Sequence, residues 1–441
     1  MCHFKKVYFI NFGCKTNFYE TSAIIDIFMK NDYEISNKNN YEICVINTCS
    51  VTELSAFKCI QKIRKEKRRN PYSILAVVGC LPQTNLEKIN KMPEIDIILG
   101  TSNKYKILEK IEEFSYNNNF KNKTKKIIEV NSVSKIKDYE ELNVLGTQKR
   151  TRANIKIQEG CNNFCTYCII PKARGPSRSR KNENILKEIT KFIENDYKEI
   201  VLTGTHISSY GENFKNKNTS LINILEQIEK YTKIERVRLS SLEPNIITDD
   251  FILRIKKLKN LCPHFHLSLQ SGCDETLKRM GRKYTTYEYE KIVQKLREKI
   301  KDVAITTDII VGFPGEDKNE FDKSYNFVKK IRFARIHVFK YSKRNGTKAF
   351  NMPNHIDEKE KVIRSKKFIL LSSEMRKEFY ERYIGKNIKI LIEKKIKEET
   401  YFGNSKNYLG IIIKSKENIK NKIVTAKTTK FDGLHLIGDL I

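Results

Sequence analysis

What the chain lacks narrows its class. No stretch approaches the ~18 consecutive apolar residues that a bilayer-crossing helix needs, so no membrane span is expected. The first residues, MCHFKKVYFINF, lack the long apolar centre of a secretory signal. A reducing cytoplasm is therefore the expected compartment, where clustered thiols serve metal or redox chemistry before disulfides. Acidic residues are also scarce: 53 Asp plus Glu face 84 Lys plus Arg, a formal charge of +31. That field favours a polyanionic partner such as RNA, although Lys and Asn abound even in loop-like stretches such as 117–126, so part of the charge is compositional. A last shortage is local. After Cys161, Cys165 and Cys168 no further cysteine follows until Cys262. A ferredoxin cube takes four thiolates and a structural zinc four closed ligands, so this C-x3-C-x2-C run leaves one metal corner open.

The run is CNNFCTYCIIPKARGPSRSR, residues 161–180. Cys thiolates favour iron–sulfur, zinc and copper(I) over hard cations. Two other readings compete: a zinc site closed by a distant ligand such as His206, and thiols packed as small hydrophobes. Three thiols in one Gly/Asn/Pro-rich loop are rare as core filling. The spacing, with the aromatic Tyr167 before the last cysteine, resembles the radical S-adenosylmethionine (SAM) enzymes. That resemblance implies a four-iron four-sulfur cluster on the three thiols, with its open iron chelating SAM. Arg174, Arg178 and Arg180 follow directly and read as charge compensation, substrate phosphate contact, or both.

The 441 residues exceed one ordinary core and suggest two to four domains, α/β in class. Residues 1–113 alternate strands (5–12, 42–47, 74–79, 95–99) with helices, giving a small doubly wound parallel-sheet domain. One helix, 52–69, carries Leu54, Phe57, Ile60 and Ile63 as its expected buried face. Ligands bind beyond the carboxyl ends of such strands. Cys14, Cys49 and Cys80 follow three successive strands, so they should meet at one sheet edge as a second open-cornered trio; Cys44, inside a strand, reads as core. Residues 114–150 read as a linker with an extended piece near 127–133.

Residues 151–375 resume the alternation, with strands at 153–158, 199–203, 237–240, 264–269, 304–311 and 336–341: a partial (β/α)6 barrel with the 161–180 loop at the end of its first strand. Other strand ends carry Gly204, Thr205, Glu243, Gln270 and the VGFPGE loop. His264 and His266 read as satisfied barrel residues, and Cys262 and Cys273 lack partners at ligand spacing. A charged helix at 357–383 leads into 376–441, whose short strands suit a five-stranded OB-like β-barrel.

With both thiol trios and this domain order, the chain resembles the methylthiotransferases, a radical SAM family, over nearly its whole length. NFGCKTNFYET, CNNFCTYCIIPKARGPSRSR and LTGTHISSYG look most like the branch acting on C2 of N6-threonylcarbamoyladenosine, next to the tRNA anticodon; Lys172 departs from it, since that branch usually has Tyr after the Pro. The resemblance implies two [4Fe–4S] clusters, on Cys161, Cys165 and Cys168 and on Cys14, Cys49 and Cys80. It further implies SAM near Tyr167, Gly204, Thr205, Glu243 and Gln270, reductive cleavage of SAM, and sulfur delivered from the second cluster. The last domain resembles the RNA-binding TRAM domain. Implied partners are tRNA and a low-potential electron donor such as a flavodoxin or ferredoxin. Rival substrates are isopentenyladenosine in tRNA and a ribosomal-protein aspartate; a rival class is a non-catalytic zinc protein that binds RNA.

Overall fold

The computed structural model describes residues 6–118, 125–144, 151–215 and 219–441. Cys2, most of the Asn/Lys-rich stretch and most of GTQKRTR lie outside them. The first sheet contains β1 (Lys6–Asn11), β2 (Glu34–Ile35), β3 (Ile43–Thr48), β4 (Ile74–Gly79), β5 (Ile97–Leu99) and β6 (Ile127–Glu129), all parallel in the order β2-β1-β3-β4-β5-β6. The runs ICVINT and ILAVVG are buried throughout because helices cover both faces of the sheet. The extended piece near residue 127 is thus a sheet edge, β6, paired with β5 from Ile97↔Ile127 to Leu99↔Glu129. Cys44 lies in the core, as its strand position implied.

The helix Glu53–Arg69 buries Ile63, with Ile60 packed beside it, as its apolar spacing suggests, but is rotated so that Leu54 and Phe57 are not in the core. Ala56, Cys59, Ile63 and Glu66 are buried, whereas Leu54 and Phe57 are 61% and 55% exposed. The small Ala56 and Cys59 let the helix approach the sheet, and Glu66 is held there by the Tyr41 hydroxyl, which donates to it at 2.8 Å, and by ion pairs to Lys62 and Arg69.

The second body is built on β7 (Arg152–Glu159), β8 (Arg178–Ser179), β9 (Glu199–Gly204), β10 (Arg236–Leu239), β11 (His264–His266), β12 (Ala304–Val311) and β13 (Arg335–Lys340). Strands β7, β9 and β10 are parallel, as are β11, β12 and β13, and the bridges Val237↔Leu261 and Leu242↔Leu267 join the two sets. Six parallel strands form a partial barrel, with the short β8 antiparallel to the end of β7. Along β7, Ala153, Ile155 and Ile157 join the apolar core with Ile185 and Ile189 of the outer helix Asn182–Glu194. Lys156 and Gln158 alternate onto the other face. There the helix Lys15–Lys30 packs along β7, so the first body lies against the barrel's first strand.

The chain ends in a closed barrel of β14 (Asn387–Lys397), β15 (Thr400–Ser405), β16 (Gly410–Lys414), β17 (Ile423–Phe431) and β18 (Leu436–Leu440), filled by Ile390, Ile392, Tyr401, Ile411 and Leu436. The helix Glu358–Glu381 packs on β13 and β17 and links the two barrels. Arg236 and Arg238 donate to the Asn404 and Lys406 carbonyls at 2.9 and 3.0 Å, so the small barrel docks at the amino-terminal end of the parallel strands. The opposite, carboxyl end holds the 161–180 loop.

Candidate active site

The first thiol trio sits on the loop leaving β7. Gly160 turns the chain at φ +78, and a Cβ there would lie 1.9 Å from the Pro176 carbonyl oxygen, so only glycine permits this approach. The loop is tied down by backbone bonds: Cys161 N–H to the Gly175 carbonyl at 3.1 Å, Thr166 N–H to Met280 at 3.0 Å, and Cys168 N–H to Cys165 at 2.9 Å. Gln158, unremarked in the sequence, organises the base. Its amide nitrogen donates to the Gly160 carbonyl at 2.7 Å, and its amide oxygen accepts from the His206 N–H at 2.8 Å. Thr205 donates to the same Gly160 carbonyl at 2.6 Å, and Gly204 is packed against Gln158. Both strand-end residues therefore shape the loop.

A cavity of about 340 Å³ adjoins the trio, lined by Cys165, Asn163, His206, Glu243, Arg282 and Lys283 among others. Arg282 donates to Cys165 Sγ at 3.3 Å through Nη1 and pairs with Glu243 through Nη2. Glu243 thus reaches the site through an arginine that sequence patterning did not flag. Gln270 adopts left-handed backbone at φ +68 and is held between Asp308 and Ile310 of β12 by bonds of 2.9 Å. Tyr167 packs edge-on against Phe313 at 6.4 Å, beside Met280 and Tyr341. His206 approaches Asn163 at 3.2 Å. His264 and His266 share Thr306, at 3.2 and 3.0 Å.

Cys14, Cys49 and Cys80 follow β1, β3 and β4, which are neighbours in the sheet, so three strand ends do converge. Gly13 makes this possible, since a Cβ there would lie 2.8 Å from Cys49 Cβ. Asn17 stitches the strand ends together by donating to the Phe12 and Thr48 carbonyls at 2.8 and 2.9 Å. Its amide oxygen accepts from Arg174 Nη2 at 2.5 Å.

Arg174 is the joint between the two trios. It leaves the first thiol loop on the short helix Ile170–Arg174, is 1% exposed, and uses every guanidinium N–H: Nε to Cys80 Sγ at 3.4 Å, Nη1 to Glu20 and to Glu159 at 2.6 Å, Nη2 to Asn17 and to Glu20 at 3.1 Å. Lys104 and Lys156 also reach Glu20, the latter at 3.2 Å. Burial alone would raise both carboxyls. The surrounding cations win, holding Glu20 well below its ordinary value and Glu159 at about 2. Arg178 and Arg180 are buried too, on Glu159 at 3.7 Å and on Glu141 at 2.8 Å with Glu188. The basic run is internal charge compensation; its burial overturns the reading as a substrate phosphate contact.

A match to the Radical SAM superfamily covers residues 155–328, and one to the uncharacterized protein family UPF0004 covers residues 6–100. A Bacillus subtilis protein named threonylcarbamoyladenosine tRNA methylthiotransferase MtaB is 39% identical over 96% of this chain and 94% of its own length. A Thermodesulfovibrio yellowstonii protein named tRNA-2-methylthio-N(6)-dimethylallyladenosine synthase is 35% identical over 99% of both chains. The chain belongs to the radical SAM methylthiotransferases. A methyltransferase structure, TsrM from Kitasatospora setae, aligns with a TM-score of 0.56 at 13% identity over 78% of this chain and 77% of that one, a likeness of fold alone.

Membership in the methylthiotransferases brings SAM and a [4Fe–4S] cluster, and the residues present fit them. Among the described residues no three His, Cys, Asp or Glu side chains close on one point tightly enough for a single metal ion. In a cube each thiolate takes its own iron, so wider spacing suits the donors. Burial pushes Cys161 up to about 11 and Cys168 and Cys49 up to about 12, so loading a metal must expel protons from these thiols. Among the described residues no helix is long and apolar enough to cross a membrane.

Proposed function

We propose that the chain methylthiolates C2 of N6-threonylcarbamoyladenosine at position 37 of tRNA, with two [4Fe–4S] clusters on the two cysteine trios. The observation that carries the two-site reading is Arg174: a residue of the Cys161, Cys165, Cys168 loop donates directly to the thiol of Cys80. The substrate assignment is supported by the relatives, since the Bacillus subtilis protein and one from Aquifex aeolicus, 35% identical over 90% of this chain, both carry the threonylcarbamoyladenosine name. The dimethylallyladenosine name on the Thermodesulfovibrio protein keeps isopentenyladenosine as the second reading.

The C2 hydrogen of adenine has no useful acidity; iron–sulfur clusters and SAM supply the radical chemistry, sulfur and methyl group that acid–base side chains cannot. The protein's part is placement. Cys161, Cys165 and Cys168 hold one cluster on a loop fixed by Gln158, Thr205 and Gly160. Glu243 and Arg282, with Gln270, Gly204 and Tyr167 around them, orient SAM in the adjoining cavity. Cys14, Cys49 and Cys80 hold the second cluster, with Asn17 and Arg174 fixing their separation. The division at 1–113, 151–375 and 376–441 follows these roles, with the last barrel gripping tRNA through its lysines. A flavodoxin or ferredoxin supplies electrons in the cytoplasm.

The test is an anaerobic assay of reconstituted, reduced protein with SAM and tRNA carrying either modified adenosine, followed by mass spectrometry of digested nucleosides and 5′-deoxyadenosine. The methylthio product from threonylcarbamoylated tRNA supports the reading. Product from isopentenylated tRNA alone moves the assignment to the second reading, and deoxyadenosine with neither product removes both.

A further inference from the structure

A second cavity, of about 300 Å³, borders the loops of both trios, and no step above uses it. Its lining includes Ser50, Leu81 and Ile169, each the residue after a thiol: Cys49, Cys80 and Cys168. Its apolar lining includes Phe57, Ile60 and Phe350, so the exposed Phe57 of the helix Glu53–Arg69 borders this pocket. Its cationic lining is Lys88, Lys343 and Arg344, against a single carboxylate, Glu53.

Arg344 gives the pocket its chemistry. Its Nε and Nη2 are shielded from solvent yet have no hydrogen-bond partner, while its own carbonyl holds the turn by accepting from the Thr347 N–H at 3.1 Å and hydroxyl at 2.8 Å. Buried guanidinium donors without an acceptor are costly, and this fork geometry matches a carboxylate. The ionisable groups acting on it are Glu53 and Cys49. Lys343, its neighbour, stands 4.8 Å over the Phe350 ring, and no ion pair involves Lys88, Lys343 or Arg344 among the described residues. Lys172, the one departure from the branch's motif, reaches the same turn: a Cβ on Gly346 would lie 2.3 Å from its Nζ.

We propose that this pocket, through Arg344 and Lys343, binds the threonyl carboxylate of the substrate nucleoside and so selects an anionic N6 substituent over an apolar one. The inference rests on the substrate reading above and deepens it. An isopentenyl group would leave the guanidinium donors unpaired, and the cost of that mismatch is the discrimination.

The experiment compares holoenzyme affinity for one tRNA with and without the threonylcarbamoyl group on A37, in wild type, Lys343→Gln and Arg344→Gln. Lys343 is exposed, so its variant keeps the fold even where Arg344→Gln does not. Each variant is expected to weaken binding of the modified tRNA about tenfold or more, the range of a charge-assisted hydrogen bond, and to bind unmodified tRNA as wild type does. Equal loss for both tRNAs assigns the pair to a backbone phosphate and overturns the proposal, as does no loss for either. The two readings fail separately. A wild type that forms no product from threonylcarbamoylated tRNA refutes the substrate, whereas a wild type that forms it yet binds both tRNAs equally refutes the pocket alone.

Discussion

Replacing Arg174 by Met tests how the two trios are joined. The guanidinium pairs with Glu20 and Glu159 and donates to Asn17 and Cys80, all inside the protein. Breaking a buried ion pair by removing one partner costs about 3–5 kcal/mol. Lys104 and Lys156 still neutralise both carboxylates, which places the cost near the lower end, about 3 kcal/mol. That energy is roughly a 100-fold change in a local opening equilibrium. Hydrogen exchange read by mass spectrometry reports it directly, peptide by peptide. Segments 15–30, 80–84 and 170–174 are expected to exchange about 100-fold faster, with the closed barrel at 387–440 unchanged. The iron proposed at Cys14, Cys49 and Cys80 should fall, while that proposed at Cys161, Cys165 and Cys168 persists. Exchange within about twofold of wild type across all three segments would show that Arg174 joins nothing and refute the reasoning.

Gly160→Ala places a Cβ 1.9 Å from the Pro176 carbonyl, so the loop must shift and reconstituted protein should lose iron at the first trio, seen by electron paramagnetic resonance; full retention contradicts the fit. Glu243→Gln removes the charge that orients Arg282 and is expected to raise the SAM dissociation constant about tenfold with iron content unchanged, measured by anaerobic equilibrium dialysis; an unaltered constant takes Glu243 out of the cofactor site. Glu159 is held at about 2 against an ordinary 4.5, a depressed carboxyl, so its stabilisation is full above pH 4.5 and lost as pH falls toward 2. Circular dichroism should show acid loosening in that window, and Glu159→Gln should flatten the dependence.

The sheet strands were legible because ICVINT and ILAVVG are mostly apolar runs of strand length buried on both faces, and barrel strands such as β7 because apolar residues alternate with polar ones along them. The strand ends then delivered Cys14, Cys49 and Cys80 to one edge, as their positions implied. Other parts were hidden for physical reasons. The extended piece near 127–133 was readable, but its joining the sheet was not, since β6 is three partly exposed residues that pair only as an edge. The helix Glu53–Arg69 follows small residues and a bonded carboxylate, so counting hydrophobes selected Leu54 and Phe57, which face outward. Asn17 and Arg282 act by bonding to a carbonyl or a thiol far along the chain, and Gln158 by accepting from the distant His206 N–H; no local pattern marks such partners. The arginine run was visible, but whether it faced water or carboxylates depended on Glu20, more than 150 positions upstream of Arg174.

Arg174 has a consequence for how such a protein can be altered. Its partners come from the helix Lys15–Lys30, the end of β4 and the end of β7, so neither half of the chain closes its own interior without the other. Exchanging the first hundred residues with those of a relative is therefore no neutral module swap. A chimera keeps its joint only where the incoming segment brings the Asn17, Glu20 and Cys80 constellation in the same frame, and, on the pocket proposed above, transplanting substrate preference calls for changes at the cavity lining instead.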